Sequence, residues 1–200
     1  MLNEKVICAG FGGQGVMSMG QLLAYAGMLE DRHVSWMPSY GPEMRGGTAY
    51  CCVMISEKPV GSPIITNDAS CAIVMNQPSL LKFEKCLEPG GLLLINSSMA
   101  TSKCSRSDVT EYSIPANDLA RKCGNQRAAN MVMLGAYLQV SGSVETENVI
   151  EAFKKVFGAK AKKHLTVNIK ALRCGMEEVR HSAIYAAPKT SCHLHVPHAA

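Results

Sequence analysis

The residues of this chain best suited to chemistry are six in a row, Gly10-Phe11-Gly12-Gly13-Gln14-Gly15, a G-x-G-x-x-G pattern between an apolar run and a helical one. Glycines in those places let the backbone turn tightly and present N–H groups, at the positive end of a following helix, to a phosphate or carboxylate. A nicotinamide or flavin dinucleotide needs in addition an acid near the end of the second strand to hold the ribose hydroxyls. That stretch reads Trp36-Met37-Pro38-Ser39, and Glu30 and Asp31 fall before it. The dinucleotide reading is weakened accordingly. Glycines that serve only close strand–helix packing remain an alternative to anion binding.

A second glycine-rich stretch, Tyr40-Gly-Pro-Glu43-Met-Arg45-Gly46-Gly47, follows the second predicted strand and therefore falls on the same rim of the sheet as the first. Glu43 and Arg45 can pair with each other and order the loop, or Arg45 can offer its guanidinium fork to an anionic ligand or partner. Asn130, at the head of an apolar helix, is read as an N-cap in preference to a ligand contact. Lys154, Lys155, Lys160, Lys162 and Lys163 form a basic patch, read as a solvated face. The histidines of the tail from Cys192 to His198 are read as incidental, with no metal site expected. No residue is an obvious nucleophile or general base, so the catalytic residues are left unassigned.

The elements that must position these loops alternate. An apolar run over 5–9 predicts a buried strand and 15–29 a crossover helix; 33–37 and 48–56 predict strands. The 57–63 stretch suggests a hairpin-like excursion. Further strands are expected over 71–75 and 92–95, with 88–91 as a turn, and over 109–114. Helices are expected from Pro78 to about 87, over 115–123, 130–140, 146–157 and 167–179. The fold class is α/β, with a mostly parallel Rossmann-like sheet, helices on both faces and a helical C-terminal part. One domain is expected over 1–181, followed by a flexible tail over 182–200.

Composition narrows the function. The chain has 200 residues, 47% hydrophobic and 18% charged, which excludes disorder over most of its length. A formal charge of +4 without a dense basic stripe argues against nucleic acid. No charge falls between Val6 and Leu29, but six glycines and two glutamines there argue against a membrane span. No signal peptide is recognisable, and nine cysteines without a C-x-x-C fit a cytoplasmic, reducing setting. They are expected to be buried, reduced and without a cluster of their own.

Together the segments Gly10 to Val16, Ser39 to Gly47, Ser62-Pro63, Pro89 to Asn96, Ile114 to Ala116 and Asn130 to Gly135 closely resemble the gamma subunit of 2-oxoacid:ferredoxin (flavodoxin) oxidoreductases, over roughly residues 4–180. The resemblance implies a complex that oxidatively decarboxylates a 2-oxoacid to an acyl-coenzyme A and passes the electrons to ferredoxin or a flavodoxin. It implies alpha, beta and delta type partner subunits, with thiamine diphosphate and iron–sulfur clusters held by those partners, and a homodimer when the chain is isolated. This chain is then inactive alone and has no firmly bound cofactor, although coenzyme A is a candidate ligand. The resemblance implies a phosphate-binding role for Gly12, Gly13, Gln14 and Arg45, within a wider cofactor-binding set that adds Gly10, Gly15, Tyr40, Glu43, Gly46 and Asn130. The 2-oxoacid is expected to be 2-oxoglutarate or a branched-chain oxoacid. A stand-alone nucleotide-binding oxidoreductase and a non-catalytic anion- or partner-binding module stand as the alternatives.

Overall fold

A computed structural model of the chain describes residues 2–40 and 47–185. Six strands, β1 (Asn3–Phe11), β2 (His33–Tyr40), β3 (Thr48–Ser56), β4 (Ala69–Val74), β5 (Leu87–Asn96) and β6 (Thr110–Ile114), form one sheet in the order β2-β3-β1-β4-β5-β6. The parallel pairs β1–β4, β4–β5 and β5–β6 make the sheet mostly parallel. The inverted strand is β3, which lies antiparallel between β1 and β2. Its position follows from length, because the stretch between Tyr40 and Thr48 is too short for the crossover that a parallel neighbour requires. The second strand is thus an edge strand, one place removed from β1, and Pro38 is tolerated there because an edge leaves N–H positions unpaired.

Alternation along the strands sends their side chains to two cores. Val6 and Cys8, with Cys51, Val53, Ile55, Cys71 and Ile73, face a thick helical layer, whereas Ile7, Ala9, Cys52, Met54, Ala72 and Val74 face the opposite side. That thick layer contains α1 (Val16–Leu29), α3 (Ala116–Lys122), α4 (Ala129–Ser141), α5 (Thr146–Phe157) and α6 (Ala159–Tyr185), while the thinner layer rests on the short α2 (Gln77–Phe83). Apolar on all sides, α4 buries every residue from Ala129 to Leu138 and forms the centre of the layer. It crosses α6 at a very close approach. A Cβ at Gly135 would lie 1.9 Å from the Leu172 carbonyl oxygen, and one at Gly175 would lie 1.9 Å from that of Val132.

Three expectations need correction. The 57–68 stretch contains no strand, so the excursion is irregular and not a hairpin. The expected turn at 88–91 lies inside β5, where the register slips between Ala69 and Cys71 and Gly90 takes φ 82. Such a bulge keeps the strand going while one or more residues stay unpaired. The last helix is a single 27-residue rod that begins well before 167 and passes 181. The expected tail from 186 onward, with its histidines, lies outside the described residues.

Candidate functional site

The glycine loop leaves β1 at Phe11 and enters α1 at Val16. Gly13 (φ 95) and Gly15 (φ 78) lie in the left-handed region that only glycine occupies at little cost. A Cβ at Gly13 would meet nothing within 4 Å, so this turn faces open space. Two of the loop's N–H groups are already engaged: Gly12 donates to the Gly47 carbonyl (3.1 Å) and Gln14 to that of Phe11 (3.1 Å). No acceptor among the described residues meets the N–H groups of Gly13, Gly15, Val16, Met17 or Ser18, and the helix has no side-chain cap. These orphan donors and the helix dipole make this end of α1 attractive to an anion.

The Gly12–Gly47 bond also puts the second loop beside the first. Pairing of Tyr40 with Ala49 and of Gly10 with Ala49 brings both ends of that loop to the same rim. Glu43, Arg45 and Gly46 lie outside the described residues.

Gln14 and Gly10 both have structural contacts that hold the loop. The Gln14 Oε1 accepts from the Phe11 N–H (2.7 Å) and from Asn76 Nδ2 (2.8 Å), and its Nε2 donates to the Met75 carbonyl (3.3 Å). Each polar end is occupied, so Gln14 clamps the loop to the end of β4. A Cβ at Gly10 would press within 2.7 Å of Gln14 Oε1 and 2.9 Å of Met75 Cβ, so this glycine is required by packing. Asn76 also caps α2, accepting from the Ser79 N–H (2.9 Å). Replacing Asn76 by alanine removes the cap and the clamp together, and should cost about 1–2 kcal/mol, read as a fall of roughly 3–6 °C in the thermal midpoint.

Asn130 is not a cap, because α4 starts one residue earlier, after Ala128. Buried at 8% exposure, Asn130 instead donates from Nδ2 to the Gly15 carbonyl (3.3 Å) and sits where a Cβ at Gly15 would be, 2.6 Å away. It therefore fixes the glycine loop from the far side.

Two cavities flank the loop. One of about 670 Å³ runs from Gly15 and Ser18 past Asn130 to Phe153, Phe157, His164 and Asn168, and is largely apolar toward α5. The other, of about 430 Å³, lies at the strand ends between Gly13, Gln14, Met75, Asn117 and Gln126. Asn125 and Arg127 line both. Asn125 holds the short turn between α3 and α4 by accepting from the Arg127 N–H (3.0 Å), and the Arg127 side chain is exposed with no ion-pair partner among the described residues. At the floor of this region Asn96 donates to Asn117 Oδ1 (2.9 Å) and to the Met75 carbonyl (3.3 Å), leaving its own buried Oδ1 unpartnered. An orphaned acceptor of that kind costs about 1–3 kcal/mol.

The sequence reading missed Asn125, Arg127 and Asn117. The available signal was a polar, basic turn after Gly124, leading directly into a helix without any charge. In the basic patch, Lys154 pairs with Glu151 (3.0 Å) and Lys155 is exposed; the side chains of Lys160, Lys162 and Lys163 lie outside the described residues. Among the described residues no helix is long and apolar enough to cross a membrane.

Comparison with known proteins gives the geometry a context. The family model described as pyruvate ferredoxin/flavodoxin oxidoreductase matches residues 5–178. A ketoisovalerate oxidoreductase subunit VorA from Methanothermobacter thermautotrophicus is 43% identical over 177 residues, which is 88% of this chain but 36% of that relative's length. A 2-oxoglutarate synthase subunit KorC from Methanocaldococcus jannaschii is 32% identical, covering 76% of this chain and 82% of its own. Among solved structures, the gamma subunit of a keto/oxoacid ferredoxin oxidoreductase from Geobacter sulfurreducens superposes with a TM-score of 0.75 at 26% identity, covering 89% of this chain and 99% of that one.

Proposed function

We propose, from the premise that the chain belongs to the pyruvate ferredoxin/flavodoxin oxidoreductase family, that it is the gamma-type part of a complex that oxidatively decarboxylates a 2-oxoacid to an acyl-coenzyme A and reduces ferredoxin. Its partners are alpha, beta and delta type polypeptides, which carry the thiamine diphosphate and the iron–sulfur clusters. The oxoacid is a branched-chain one in preference to 2-oxoglutarate, supported by 43% identity to the ketoisovalerate subunit against 32% to the 2-oxoglutarate one.

Within that assembly this chain receives coenzyme A, which supplies the thiol that accepts the acyl group. The observation that carries the reading is the convergence, on one rim, of five N–H groups from Gly13 to Ser18 that have no acceptor among the described residues with Arg127, which has no ion-pair partner among them and is shared by two cavities. Gly13, Gly15 and the first turn of α1 hold a phosphate by backbone donors; Arg127 neutralises a second. Phe153 and Phe157, their rings tilted at 49° with centres 4.7 Å apart, offer an apolar wall for an uncharged portion of the ligand. Displacement of β2 to the sheet edge argues further against a nicotinamide or flavin dinucleotide, since the ribose-binding position beside β1 is filled by β3.

The test is to tag the chain in its native host, purify whatever accompanies it, and assay reduction of ferredoxin. Thiamine- and cluster-bearing polypeptides should co-purify, and reduction should require both a 2-oxoacid and coenzyme A. Full activity of the isolated polypeptide, or dependence on a nicotinamide cofactor, would refute the reading.

A further inference from the structure

The sequence reading expects buried, reduced cysteines. Of the eight described, Cys86, Cys104 and Cys174 are partly exposed, and one pair is unlike the rest. Cys123, the C-cap of α3, and Cys174, in the middle of α6, have their sulfurs 3.0 Å apart across 51 residues of sequence. That contact is only about 1 Å longer than a disulfide bond. We infer that Cys123 and Cys174 form a redox-active dithiol, a site of reversible covalent modification that low-molecular-weight disulfides oxidise to an intrachain bridge.

The two sulfurs have different roles. Cys123 is 5% exposed, and burial, with the Cys174 sulfur beside it, pushes its thiol up, so it stays protonated and cannot be struck first from solution. Cys174 lines a surface groove of about 420 Å³ together with Lys170, Arg173 and Glu177, where a reagent can reach it. In the first step the Cys174 sulfur, having lost its proton, attacks one sulfur of the reagent. A Cys174–reagent bond forms, the reagent's own S–S bond breaks, and the first reagent thiolate leaves and takes up that proton. Cys123 then gives up its proton as its sulfur attacks that of Cys174, the mixed bond breaks, and the second reagent thiolate leaves and takes up that proton. The dithiol loses two electrons and the reagent gains two.

Other close cysteines do not offer this. Cys8 and Cys51 are register partners on β1 and β3, but both are 0% exposed, so no reagent has access. The bridge would also have a structural consequence near the cavities. Cys123 lies two residues before Asn125 and four before Arg127, and α6 carries His164 and Asn168. Closing the bond pins the Arg127 turn to α6. This inference rests on the dithiol's geometry alone and stands apart from the proposed function.

The purified full-length chain is to be equilibrated with oxidised glutathione, alkylated, and digested without reduction. A peptide linking Cys123 to Cys174 should dominate, with the thermal midpoint raised by roughly 5–10 °C and restored by dithiothreitol. C123S should stop at glutathione on residue 174, and C174S should take up none at Cys123. Glutathione retained on Cys174 of the unaltered chain, a bridge between other cysteines, or a thermal shift that persists in C174S would overturn the inference; the peptide map of the unaltered chain decides even if a variant folds poorly.

Discussion

Alanine at Gly135 or Gly175 is expected to destabilise the chain by about 3 kcal/mol or more, lowering the thermal midpoint by roughly 10 °C, or to leave it insoluble. The reason is backbone meeting backbone. Each added methyl would sit 1.9 Å from a carbonyl oxygen of the facing helix, so no rotamer change can relieve the clash. The helices α4 and α6 would have to separate along their whole crossing, opening the layer that contains Val132, Leu134, Ala136, Ala171 and Leu172. Helix propensity favours alanine over glycine by about 1 kcal/mol, which is too little to compensate. Gly61 provides the control: a Cβ there meets nothing within 4 Å, and Gly61→Ala should change stability by less than about 0.5 kcal/mol. Calorimetry or chemical denaturation of the three variants distinguishes the outcomes.

The second large effect is on binding. Arg127→Glu in the assembled complex is expected to weaken coenzyme A by roughly 100-fold, with little change in thermal stability, because the side chain is exposed and unpaired among the described residues. Arg127→Lys retains the charge but not the bidentate fork, and should fall between the two. Raising the ionic strength should narrow the gap between Arg127 and its reversal, since an exposed charge is screened. Affinities from titration calorimetry at two salt concentrations read all three expectations. Equal affinities for the unaltered and reversed proteins would remove Arg127 from the site.

Much of the scaffold was legible because periodicity and punctuation agreed. The 48–56 strand and the 146–157 helix coincide with the sequence reading at both ends, as a continuous buried apolar run in the one and an apolar face in the other require. The glycine loop was located by its spacing, but its chemistry was only half visible. Nothing in a linear sequence distinguishes Gly10, required by contact with Met75, from Gly13, which faces open space. Nor does it reveal that both ends of the Gln14 amide are occupied by Phe11, Asn76 and Met75. Arg127 escaped notice for a related reason. It lies 112 residues from Gly15, and only the stacking of α4 against the thick layer brings its turn to the same cavity. The inverted β3 was hidden because a buried apolar run looks the same in either direction; the short connection before it was the available clue.

The most direct test is a crystal structure of the assembled complex with coenzyme A. The account predicts phosphate oxygens at about 2.7–3.2 Å from the N–H groups of Gly13 to Ser18, with the Arg127 guanidinium on the same anion or its neighbour. Coenzyme A bound elsewhere with this rim bare, or a nicotinamide or flavin dinucleotide seated on it, would contradict the account.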